Sequence, residues 1–117
     1  MKFETDFDAL CRDLSALTEG VPYVIANLAN TAALLWERME GLNWAGFYML
    51  TDGALVLGPF QGKTACIRIP LGRGVCGTAA EQGRTQLVEN VHDFPGHIAC
   101  DSASRSEIVV PIRKNGK

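Results

Sequence analysis

The sequence predicts a two-layer α/β (α+β) fold, a mostly antiparallel sheet with N-terminal helices packed on one face. Three observations support it. Apolar residues recur at helical spacing through the first 39 positions, then alternate at strand spacing after Gly41. A Thr-Asp-Gly segment separates two apolar runs and marks a hairpin. Beyond it, short strand-like segments surround a single short helical pattern, an order that suits helices covering one face of an antiparallel sheet.

Phe3, Phe7, Leu10, Leu14 and Leu17 recur at gaps of 4, 3, 4 and 3, which places them on one face of a first helix. Cys11 lies beside that stripe and reads as a small buried hydrophobe. Gly20 and Pro22 interrupt the chain. A second helix is expected from about Tyr23 to Met39, with Ile25, Leu28, Ala32, Leu35, Trp36 and Met39 as its apolar face and Gly41 as its cap. Residues 43–50 and 54–60 then read as the paired strands of the hairpin. Residues 65–70 read as a third strand, with Cys66 alternating with Arg68 and buried. The glycine-rich run 71–83 reads as a turn opening a short helix. Residues 85–90 read as a short strand and 107–113 as a last one, ending in an Asn-Gly turn.

Composition limits the function. The chain has 117 residues, 47% of them hydrophobic, which is enough for one domain with a real core. Charged residues make up 21% and the formal net charge is −2, so no basic footprint for nucleic acid is present. No apolar run approaches the roughly 18 residues that span a bilayer. The acids at the N-terminus do not fit a secretory signal, so a cytoplasmic protein is expected. Four cysteines in such a chain suggest inert, metal-binding or redox-active thiols rather than a disulfide scaffold. Their spacing with His92 and His97 matches no zinc-finger pattern, and the run 71–77 lacks the Gly-Lys ending of a phosphate-binding loop.

Chemistry concentrates between Cys66 and Glu107. Cys66, Cys76 and Cys100 fall at gaps of 10 and 24 residues. Cys100 sits in a polar segment that runs from about His92 to Glu107, much longer than the roughly 4–6 residues of an ordinary connection and therefore a candidate site. Cys76 falls near the start of the short helix, where a thiol pKa is lowered and a reactive thiolate can form. Packing of that helix on the sheet is the alternative role. Glu107 opens the last strand and could grip an ammonium group or protonate an oxygen; Arg105, two residues earlier, could share its face. A solvated strand-end charge is the alternative. His92 and His97 are candidate bases or ligands, although most single loop histidines are neither.

On the first strand, Trp44, Gly46 and Tyr48 face the same way. A glycine between two aromatics leaves a slot suited to a small apolar or sulfur-bearing group. The alternative is a core in which Gly46 makes room for a packed helix.

Residues 26–35, 43–48, 55–79 and 94–112 together resemble the free methionine-(R)-sulfoxide reductases, an enzyme family built on the GAF domain. The resemblance covers nearly the whole chain after the first helix and implies a single GAF-like domain over 1–117. It implies that Cys100 is the catalytic nucleophile, Cys66 the resolving thiol and Cys76 an auxiliary thiol able to join disulfide exchange. It implies that Glu107 binds substrate near the sulfoxide, and that Trp44 and Tyr48 wall the pocket. The substrate would be free L-methionine-(R)-sulfoxide, with thioredoxin as external reductant and no metal or organic cofactor. A homodimer is among the assemblies expected. The family continues past the last strand into a further strand bearing aspartates and a closing helix, so a C-terminally truncated domain lacking these is expected. A ligand-sensing GAF module and an inactive remnant are the other functional readings.

Overall fold

The computed structural model describes residues 5–88 and 106–113. Among these, three helices and five strands follow in the order α1 (Phe7–Thr18), α2 (Val24–Arg38), β1 (Trp44–Thr51), β2 (Ala54–Gly62), β3 (Arg68–Pro70), α3 (Gly74–Gln82), β4 (Gln86–Val88) and β5 (Glu107–Val109). The strands form two sheets rather than the single one expected: three strands in the order β1-β2-β3, and a separate β4-β5 pair. Contacts group the chain into two compact units. One comprises Met1–Tyr48 with Gly58–Thr64, the other Met49–Leu57 with Ala65–Lys117. The hairpin strands β1 and β2 contribute residues to both.

In the first unit, α1 begins where Asp6 caps it. The Asp6 carboxylate accepts a hydrogen bond from the Ala9 N–H at 3.0 Å, satisfying one of the donors a helix start leaves free. Leu10 is the buried residue of the predicted stripe, whereas Phe7 and Leu17 remain exposed. Cys11 is an exposed free thiol, not the buried one expected, because it lies one position off the face that packs. Helices α1 and α2 pack against each other, and Ala32 of α2 is fully buried. An ion pair, Arg38 to Asp13 at 2.7 Å, joins them; with both side chains solvated it is worth well under about 1 kcal/mol. Helix α2 stops at Arg38, with Met39 as its cap. Gly41, at φ +80°, instead turns the chain toward β1.

Asp52 (φ +50°) and Gly53 (φ +79°) make the two-residue turn between β1 and β2, the pair of left-handed residues that matches the twist of a hairpin. In the second unit, β2 pairs antiparallel with β3, matching Ala54 to Pro70, Leu55 to Ile69 and Val56 to Arg68. Ala54, Leu55 and Ile69 are buried there. The ladder extends to Leu57 N–H on Ile67 O at 2.9 Å, but β3 proper begins only at Arg68. Cys66 therefore lies ahead of the strand, half-buried rather than buried.

Helix α3 packs against β3, β4 and β5. Its approach to β3 depends on Gly77: a Cβ there would lie 2.5 Å from Pro70 O, closer than side-chain atoms tolerate. Val75 and Ala79 are buried on the same helix. It ends at Gly83 in the left-handed conformation, whose N–H reaches Ala79 O at 2.8 Å. Arg113 Nη2 donates to Gly83 O at 2.9 Å, placing a cation at the negative end of the helix. In the β4-β5 pair, Val88 matches Glu107, Leu87 matches Ile108 and Gln86 matches Val109.

Candidate functional site

The predicted site residues fall into two groups, each within one unit. Trp44 and Tyr48, two apart on β1, share a face as strand alternation requires, with ring centroids 6.1 Å apart at 27°. The space above Gly46 is not an open slot, nor does a helix fill it. A Cβ on Gly46 would lie 2.8 Å from Trp44 Cη2 and 2.8 Å from Phe60 Cα. The indole folds over the glycine toward β2 and stacks on Phe60, 5.5 Å away at 17°. A Cβ on Gly62 would likewise stand 3.0 Å from Trp44 Cδ1. The indole thus lies in a bed formed by two glycines and Phe60. Sequence reading missed Phe60, because its closeness to Trp44 depends on the register of the hairpin. The signal available was the pair of glycines flanking it on facing strands.

Trp44 Nε1 is buried and, among the described residues, has no hydrogen-bond partner. Leaving a buried donor in that state costs roughly 1–3 kcal/mol. Trp36, Leu42, Asn43, Gln61, Gly62 and Lys63 line an open cleft of about 540 Å³ in the same unit.

The second group is Cys66, Cys76 and Glu107. Cys66 is engaged in a disulfide, while Cys76 and Cys11 are free. Glu107 opens β5 opposite Val88, on the half-buried face of the β4-β5 pair; Leu87 and Ile108 occupy the other, exposed face. Cys76 is half-buried near the start of α3, and its thiol is pushed up to about 12, first by burial and then by the negative charge of Glu107. The helix start was expected to lower this thiol; removal from water and a neighbouring carboxylate outweigh the helix dipole. Cys76 is therefore a neutral thiol at neutral pH.

Cys100, His92, His97 and Arg105 lie outside the described residues. Among the described residues, no group of three or more His, Cys, Asp or Glu side chains is placed to hold a metal ion, and no helix is long and apolar enough to cross a membrane.

Residues 25–117 match the GAF domain family, which defines the class of the fold. The chain is 61% identical over 110 residues to the free methionine-R-sulfoxide reductase of Escherichia coli, an alignment covering 93% of this chain and 67% of that protein. It superimposes on the reduced form of fRMsr of Staphylococcus aureus with a TM-score of 0.96 at 49% identity, covering all of this chain and 77% of the other. The free methionine-R-sulfoxide reductase of Neisseria meningitidis, solved in complex with its substrate, gives a TM-score of 0.90 at 46% identity, covering 97% and 71%. The chain belongs to the free methionine-R-sulfoxide reductases, a family of oxidoreductases built on the GAF domain.

Proposed function

We propose that this chain, as one catalytic domain, reduces free L-methionine-(R)-sulfoxide to L-methionine, using thiols as the source of electrons. The observation that carries the reading is the disulfide at Cys66 in a chain 61% identical to a named reductase. The resemblance to the family supplies the pairing used here, Cys100 as nucleophile and Cys66 as resolving thiol, while Cys11 and Cys76 are free thiols.

Cys100, as thiolate, attacks the sulfoxide sulfur. Oxygen passes from substrate sulfur to Cys100 sulfur, so methionine departs and Cys100 becomes a sulfenic acid. The oxygen gains negative charge as its bond to the substrate breaks, and Glu107 is the group proposed to hold or protonate it. The Cys66 thiol then displaces water from the sulfenic acid and forms the disulfide. Thioredoxin returns both cysteines to thiols by exchange, its own dithiol becoming a disulfide. Cys76 takes a secondary part, because a thiol with a pKa near 12 offers little thiolate for exchange at neutral pH. Trp44 and Tyr48 wall the pocket around the sulfur-bearing end of the substrate. The cycle as proposed needs no metal or organic cofactor, and it suits the reducing cytoplasm, where thioredoxin is available.

The test is methionine release from free L-methionine-(R)-sulfoxide with thioredoxin, using the S epimer as control. R-specific turnover is expected, abolished in Cys100→Ser. In Cys66→Ser, one methionine per chain should appear before turnover stalls. A Cys100→Ser chain that still turns over would refute the assignment of the nucleophile, and normal thioredoxin cycling by Cys66→Ser would remove Cys66 from the resolving role.

A further inference from the structure

Among the described residues, the contacts that surround the Trp44 indole are those of packing. Two rings lie against it. Phe60 is the nearer and the more nearly parallel, at 5.5 Å and 17°, against 6.1 Å and 27° for Tyr48. Phe60 reaches this position because the strand opposite it carries Gly46, where any side chain would collide with both the Phe60 backbone and the outer edge of the indole. At the pyrrole edge, Gly62 leaves room of the same kind beside Trp44 Cδ1. A ring confined by glycines on two sides and a flat partner on the third can tilt only if that partner yields.

We propose that Phe60 is a positioning residue: admitted by Gly46, its ring sets the plane of the Trp44 indole against which the sulfoxide-bearing end of the substrate packs. This rests on the assignment of Trp44 to the pocket wall. Phe60 acts through Trp44. Its face, not its volume, is what matters, because offset stacking is a property of aromatic planes. Leucine fills comparable space without a plane, and tyrosine keeps the plane, so the two substitutions separate positioning from filling.

The experiment uses a Trp36→Phe background, in which Trp44 is the sole tryptophan. Two readouts are taken: the fluorescence anisotropy and near-UV circular dichroism of Trp44, and the KM and kcat for free L-methionine-(R)-sulfoxide. Phe60→Leu should lower the anisotropy and raise KM roughly three- to tenfold. Its kcat should stay within about twofold, as expected for loss of binding rather than of chemistry. Phe60→Tyr should restore both readouts. A folded Phe60→Leu chain with parental KM, or with unchanged Trp44 signals, overturns the proposal. If Phe60→Leu does not fold, Phe60→Tyr decides: parental signals and KM support it, and a folded tyrosine variant with raised KM overturns it. A parent chain that reduces no sulfoxide would defeat the functional reading instead, and the anisotropy arm would then decide whether Phe60 holds the indole.

Discussion

The aromatic hairpin and the α3–β5 region reach their geometry by different means. The hairpin is built on strands of eight and nine residues, and packing settles its key side chain: Trp44 lies between Phe60 and the backbone at Gly46 and Gly62. In the α3–β5 region a nine-residue helix rests on three-residue strands, and what matters at Cys76 is its protonation state, governed by burial and by Glu107. Shape is specified in the first region and charge in the second. Mutations should therefore disturb one through sterics and the other through titration.

Glu107→Gln should have the largest effect of the three substitutions that probe this contrast. If Glu107 supplies a proton to the departing oxygen, kcat/KM for free L-methionine-(R)-sulfoxide falls roughly 100-fold. Wild-type kinetics would dismiss it from the site. The same variant should lower the Cys76 pKa from about 12 while leaving it above the ordinary thiol value of 9.0, because burial is the larger cause. The pH dependence of Cys76 alkylation, followed by mass spectrometry, measures that shift. A return to the ordinary value would make the carboxylate, and not burial, the controlling influence.

Gly46→Ala tests the hairpin in the same way. The added methyl has to displace either the Phe60 backbone or the indole, an overpacking cost of about 1–3 kcal/mol in thermal or denaturant unfolding. Near-UV circular dichroism from Trp44 should change with it, whereas the Cys76 alkylation profile should not. A change in both would show that the two regions do not respond separately.

A further effect concerns alkaline stability. The folded chain holds the Cys76 proton up to about pH 12, whereas the unfolded chain releases it near 9.0. Below pH 9 the thiol is neutral in both states and contributes no pH dependence. Between about 9 and 12 the unfolded state binds fewer protons, so this group makes stability fall as pH rises. Cys76→Ala should flatten that part of the stability-versus-pH profile. An unchanged slope would mean that the thiol is not withheld from water.

Much of the element order was legible because local periodicity dictates it. The helical stripe through Leu10, the alternation of Trp44 and Tyr48, and the Asp52-Gly53 turn each follow from spacing within a few residues. Cys11 and Cys66 were misplaced because their burial depends on where a helix face or a strand start falls, and a shift of one or two residues changes the answer. Gly41 looked like a helix cap because any glycine after an apolar helix does, yet Met39 already ends α2. Cys76 was misjudged electrostatically: its place near a helix start is local, but the water and the carboxylate around it are set by β5, about thirty residues further along the chain.

By itself the sequence determined the α+β class and the hairpin with its two-residue turn. These rest on near-neighbour sterics and on residue chemistry, which need no knowledge of distant contacts. Only the tertiary structure decided that Phe60 lies against Trp44, that Gly77 brings α3 onto Pro70, that Glu107 raises the Cys76 thiol, and that Arg113 caps α3 at Gly83. Each of these joins residues far apart in the chain, and register, close packing and desolvation exist only once those segments have met.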